Sequence, residues 1–335
     1  MSTVLRFPGA AANDGVPGSG PDRTPDRVLR ALQLTVRRRL DGLMQGEHLG
    51  LRVGPGSEPA EIRPYRPGED DVRRMDWNVT ARTLIPHVRA PMAEHELESW
   101  VLVDGSASMD FGTAAMEKRE LAAAMVGAIG MITGRPGNRL GVRVLHGDTL
   151  HRLPARPARS AAWAAVRVLI ETPRAEPGAD APLDLGAAVN RLVRDHRRPG
   201  LRLVVSDFLA DGGGTDRPFS WEAPMRRLAA RHDAVAVEIL DPRELELPDV
   251  GLLTLIDPET GRRRDVQTAS RRLRERYAAA ALAHRGAVAA ALRQAGAAHL
   301  TLRTDRDWVT DLARFVRVRR RAAVVARWQF RRAIR

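Results

Sequence analysis

The stretch from Val101 to Met109 carries the most suggestive chemistry in the chain. An apolar run stops abruptly at Asp104, and two hydroxyls follow at Ser106 and Ser108. Carboxylate and hydroxyl oxygens are hard donors of the kind Mg2+ or Mn2+ takes, whereas zinc and copper favour nitrogen and sulfur. The pattern therefore suits a cation site at the C-terminal end of a buried strand. The plainer alternative is that Asp104 and Ser106 cap the next helix, as Asp and Ser do at helix starts. A second apolar run, Leu201 to Ser206, also ends in an acid, Asp207, and capping gives no account of that second acid.

The elements around these residues decide whether the two acids can meet. Strand patterns fall at Trp100 to Asp104, Leu140 to His146, Leu201 to Ser206, Ala234 to Leu240 and His299 to Arg303, with a short extended piece at Thr149 to Leu153. Helical patterns lie between them at Ala114 to Thr133, Ser160 to Glu171, Leu185 to His196, Trp221 to Arg231 and Arg271 to Ala295. Alternating strands and helices predict an α/β fold: a doubly wound, mostly parallel sheet flanked by helices, Rossmann-type in winding. In strand order 3-2-1-4-5-6 the first and fourth strands are neighbours, and ligands bind in the crevice at their C-terminal ends. That order brings Asp104 and Asp207 together, with Ser106 and Ser108 beside them.

The remaining segments divide the chain. Residues 1–25 are rich in Gly, Pro, Ala and Asp and read as disordered. Residues 26–98 form a helix and β-rich segment: Leu29, Leu32, Val36, Leu40 and Leu43 recur at helical spacing after Asp26, and extended pieces are expected at Ala60 to Tyr65 and Pro86 to Ala90. The sheet domain occupies 99–310, with an inserted hairpin at about 245–267 whose arms are Leu252 to Ile256 and Arg262 to Val266. Residues 311–335 form a basic helix or tail.

Composition removes several chemistries. Without cysteine there are no disulfides, thiolate nucleophiles or cysteine-ligated metals. Lys118 is the single lysine and lies outside any Gly-rich turn, so the phosphate-gripping lysine of a P-loop is missing. No apolar run approaches the roughly 20 residues of a membrane span and no secretory leader is evident, so a cytoplasmic location is expected. The tail from Asp311 to Arg335 holds nine arginines and one aspartate, hence +8 of the formal +13. Contact with phosphate or a peripheral acidic membrane surface would rest on that tail, against the bland reading of a solvated basic end.

Asp104-x-Ser106-x-Ser108 with a later Asp207 resembles the metal-ion-dependent adhesion site of von Willebrand factor A domains. The resemblance implies Mg2+ held by Asp104, Ser106 and Ser108, with Asp207 acting through water and a partner's acidic side chain completing the coordination. The family's threonine ligand has no clear match. Leu183 stands at that place, with Asp184 beside it and Asp180 nearby, so either Asp184 substitutes or the site is degenerate and holds no ion.

A second resemblance precedes the sheet. Arg63, Tyr65, Pro67, Gly68, Asp70, Asp76, Trp77 and Arg82 match the signature of the domain of unknown function family fifty-eight, a prokaryotic family that joins this segment to a von Willebrand factor A-like domain. The resemblance implies an adaptor or cofactor of a MoxR-type AAA+ ATPase in a chaperone-like or assembly role. Physically, Arg63, Arg66, Arg73, Arg74 and Arg82 mingle with Glu69, Asp70, Asp71 and Asp76, either as an interaction surface or, the favoured reading, as an internal ion-pair network.

Enzyme readings fare less well. A haloacid dehalogenase-type phosphatase needs a second Asp two residues after the first and a later lysine, but Ser106 stands there and no suitable lysine is evident. Ser106 and Ser108 lie outside a Gly-x-Ser-x-Gly elbow, and no histidine can be assigned as their base from the sequence. His87 and His95 lack ligand spacing. The expectation is a non-enzymatic, Mg2+- or Mn2+-dependent binding module for an AAA+ ATPase and for clients that offer an acidic side chain. The alternatives are an Mg2+-dependent phosphoryl hydrolase, or nucleic-acid or membrane-surface binding through the tail.

Overall fold

Apolar strands shielded on both faces build the centre of this protein. The structure, a computed structural model, describes residues 4–6, 61–68, 71–90, 97–174, 184–195, 198–209, 217–257 and 261–319. The chain begins with strand β1 (Val4–Arg6), then β2 (Glu61–Pro64), helix α1 (Trp77–Thr83) and β3 (His87–Ala90). Next come β4 (Glu98–Asp104), α2 (Lys118–Ile132), β5 (Arg139–His146), β6 (Thr149–Pro157), α3 (Ala158–Glu171) and α4 (Leu185–Asp195). The second half holds β7 (Leu201–Ser206), α5 (Glu222–Arg231), β8 (Asp233–Leu240), α6 (Pro242–Leu245), β9 (Leu252–Ile256) and β10 (Arg263–Gln267). It closes with α7 (Arg271–Ala295), β11 (Ala298–Arg303) and a helix, α8, over 308–319.

Six strands form one sheet in the order β11-β8-β7-β4-β5-β6, all parallel except β6. This is the doubly wound order expected from the sequence, and β4 and β7 are neighbours. Every residue of β7 is buried, as a strand covered on both faces requires. Strand parity sorts the core. Val101, Val103, Leu203, Val205, Val237 and Ile239 pack with α2, α3 and α8, while Trp100, Leu102, Val204 and Ala236 pack with α4, α5 and α7.

Several boundaries differ from expectation. The helix expected from Ala114 starts at Lys118, because Glu117 and Glu120 form a capping box there. The extended piece expected to end at Leu153 runs on to Pro157 along β5. Val4–Arg6, expected to be disordered, pair antiparallel with β9 and make the inserted hairpin three-stranded. Three residues are too few for a periodic signal, yet they satisfy the open edge of a strand. The helix expected after Asp26, the side chains of Arg63, Glu69, Asp70 and Arg74, residues 180 and 183, and the tail from residue 320 lie outside the described residues. Among the described residues no helix is long and apolar enough to cross a membrane.

Candidate functional site

The sheet delivers both acids to one place. Asp104 is the last residue of β4, and Asp207 follows the last residue of β7. Ser206 Oγ donates to Asp104 Oδ2 at 2.6 Å across the strand pair, while Oδ1 accepts from Ser106 N at 3.0 Å. Gly105 is required here: its N–H donates to Leu145 O at 2.7 Å, and a Cβ would stand 2.6 Å from that oxygen. The chain can therefore leave β4 pressed against β5.

A short 3-10 turn, Ala107–Asp110, follows, and Ser106 sits at its cap without spending its hydroxyl on capping. Ser106 Oγ instead lies 3.2 Å from Ser108 Oγ, and Ser108 in turn hydrogen-bonds Asp207. After β7, Phe208 adopts a left-handed conformation at φ 52°. Leu209 N then reaches back to Asp207 Oδ1 at 3.1 Å. Strained backbone of this kind persists only where the surroundings hold it.

Lys118 was not expected here. It stands at the first turn of α2, is fully buried, and donates to Asp207 Oδ2 at 2.8 Å and to Glu244 Oε1 at 2.5 Å. The sequence argument that no suitable lysine exists is thus corrected: a lysine does reach the strand ends, but both of its described acceptors are carboxylates. Glu244 also closes the first turn of α6, where Oε2 accepts from Asp241 N. Asp241, fully buried, accepts from Thr113 of the loop after the 3-10 turn and from Thr304 beyond β11. Three crevice loops are therefore fastened to each other by buried acids.

The two carboxyls of the crevice live in different fields. Burial pushes the Asp104 carboxyl up, and the neighbouring Asp207 charge adds to that, against hydrogen bonds from Ser206 and Ser106. Asp207 is held below the usual carboxylate range although burial opposes this, because the Lys118 ammonium lies against it. Lys118 is correspondingly raised: burial works against its charge, but Asp207 and Glu244 outweigh it. Asp104 is thus the crevice carboxyl that accepts from neutral donors, Ser206 Oγ and Ser106 N.

Asp184, the substitute for the missing threonine in one of the two alternatives, bonds within its own segment and to Ser220. Its Oδ1 accepts from Ser220 Oγ at 2.5 Å and its Oδ2 from Ala187 N at 3.3 Å, so it fixes the start of α4. Among the described residues no group of three or more His, Asp or Glu side chains could share an ion. A cation in the crevice would meet Asp104, the two serine hydroxyls and an Asp207 already neutralised by lysine.

The expected signature also takes on a physical shape. β2 and β3 pair antiparallel, and Asp76, buried, caps α1 by accepting from Asn78 N and Val79 N. Arg66, Arg73 and Arg82 are exposed, as is Trp77. For Arg73 and Arg82 the internal ion-pair network does not form among the described residues. Asp76 is occupied by the cap, and Asp71 accepts from the backbone of Arg73.

A family model described as a protein of unknown function, DUF58, matches residues 61–287. The chain belongs to the DUF58 family. An uncharacterized protein of Mycobacterium bovis is 49% identical over 297 residues, covering 89% of this chain and 90% of its own length. An uncharacterized protein of Mycobacterium avium is 45% identical over 176 residues, covering 52% of this chain and 98% of its own. Among solved structures, the conserved hypothetical protein BatB of Bacteroides thetaiotaomicron aligns with a TM-score of 0.40 and 13% identity, over 67% of this chain and 99% of that one. The SpRpn10 VWA domain aligns with a TM-score of 0.34 and 11% identity, over 65% and 94%. For this DUF58 chain the fold rests on its own strand order.

Proposed function

We propose that this DUF58 protein is a non-enzymatic binding module that captures a carboxylate of a protein partner through a divalent cation, Mg2+ or Mn2+, in the β4–β7 crevice. Asp104, Ser106 and Ser108 would hold the ion and Asp207 would orient a water. The carrying observation is the pair of serine hydroxyls 3.2 Å apart beside a buried carboxyl that accepts from Ser206 Oγ and Ser106 N, both neutral donors. Adjacent ligands of an octahedral Mg2+ lie roughly 3 Å apart for Mg–O distances of about 2.1 Å. Buried charge without a counter-ion is costly, and a bound cation removes that cost. Because Lys118 already neutralises Asp207, the ion would keep enough positive charge to attract a partner's Asp or Glu.

As partner we propose a MoxR-type AAA+ ATPase, which the resemblance noted in the sequence supports, with clients presenting an acidic side chain and the cytoplasm as the place of work. The test is a pull-down of the purified ATPase with and without EDTA, alongside Asp104→Ala. Loss of association in both, with far-UV circular dichroism unchanged, is the expected result. Association that survives EDTA and Asp104→Ala would overturn the cation bridge.

A further inference from the structure

Four of the large hydrophobic side chains most exposed among the described residues fall within residues 72–85: Val72 at 54%, Trp77 at 68%, Leu84 at 88% and Ile85 at 54%. Helix α1 contributes no buried residue of its own. Trp77, Ala81 and Leu84 stand at i, i+4 and i+7, so an apolar stripe runs along an exposed face, where a lone surface helix would carry polar residues. Leu84 adds a second cost. It ends α1 in the left-handed conformation at φ 58°, a position where glycine is favoured and a leucine is strained. A strained leucine displayed to water contributes nothing to folding that glycine would not.

We propose that this face is a docking surface for a protein partner that offers an apolar groove rimmed by carboxylates. The groove follows from the stripe, since an amphipathic helix is read through anchors at i, i+4 and i+7. The acidic rim follows from charge. Arg82 stands on the last turn of α1 and Arg73 just ahead of the helix, both exposed and neither ion-paired among the described residues, while Asp76 between them accepts from the helix N-terminus. Tryptophan and arginine around an apolar centre are the residues that anchor interfaces. The surface uses none of the crevice residues and does not depend on a cation there.

The test places a photo-crosslinking phenylalanine analogue at residue 81 of the full chain in its own cells, with the same analogue at exposed residue 276 as control, and maps the crosslinked peptide by mass spectrometry. The expected product is a distinct protein joined through a segment rich in apolar and acidic residues. Its purified form should bind Trp77→Ser and Arg82→Glu at least tenfold more weakly than the parent chain, and Asp104→Ala equally well in EDTA. Leu84→Gly separates binding from folding: it should weaken binding tenfold without lowering Tm, because it relieves the left-handed leucine. Crosslinks only to a second copy or to lipid, none above the control, or unchanged affinity in these variants would overturn the proposal.

Discussion

A single lysine among 54 basic residues calls for a physical reason, and its surroundings supply one. Arginine presents a wide planar fork, whereas the Lys118 ammonium is a compact charge that fits between Asp207 and Glu244 with no exposure at all. Lys118→Met leaves two buried carboxylates without their cation and should cost about 3–5 kcal/mol in urea unfolding. Lys118→Arg should recover only part of that, because the fork does not fit the same space. His284 on α7 makes a pH prediction away from the crevice. It is buried against Phe219, and neither ring nitrogen has a hydrogen-bond partner among the described residues. Burial and then Arg285 push its pKa below 6.5, although Glu238 and Asp207 pull the other way. Below pH 6.5 the unfolded chain binds a proton that the folded chain refuses, so this contribution is intact above that pH and is lost as pH falls. The slope is at most about 1.4 kcal/mol per pH unit. His284→Phe should flatten it in melts between pH 7 and 5, and an unchanged slope would assign it to another group.

At the level of elements, helix α2 lies so close to α3 that a Cβ on Gly130 would stand 2.1 Å from the Cβ of Ala162. Gly130→Val should therefore force the helices apart and lose about 1–3 kcal/mol or more in chemical denaturation. The strands and long helices were legible because their apolar residues repeat at 2 and 3.6 over enough positions to set a phase. That phase sets the winding, and with it the meeting of Asp104 with Asp207. Helices α1 and α6 were not legible. Helix α6 has four residues, defined by the Asp241 and Glu244 box rather than by an apolar face, and α1 buries nothing. The place of Lys118 at the crevice was not legible for a related reason. A lysine between glutamates at a helix start reads as solvated, and only the tertiary placement of α2 over the end of β7 reveals its partners. The one available hint was compositional, a lysine kept where every other basic residue is arginine.

Over the whole molecule, the packing moves the boundary between body and basic tail. The expectation began the tail at Asp311, yet α8 buries Trp308, Val309, Leu312, Ala313 and Val316 against the sheet. Arg319 then reaches Asp233 at 2.5 Å, at the start of β8. Nine residues first read as tail therefore belong to the sheet domain. Cutting the chain after residue 315 removes Val316 and the Arg319 ion pair, and loss of a buried valine with its contacts is worth roughly 1–3 kcal/mol. Cutting after residue 320 keeps both. The shorter chain should melt several degrees lower than the parent, whereas the chain ending at 320 should melt with it. The second truncation is the one that isolates charge. Residues 321–335 carry five arginines and no acid, so any binding to duplex DNA or to anionic vesicles through them must weaken steeply with salt and disappear in the 1–320 chain. Binding that persists in that chain would place the contact on the folded body instead, and binding that ignores salt would show that it does not rest on arginine–phosphate pairing.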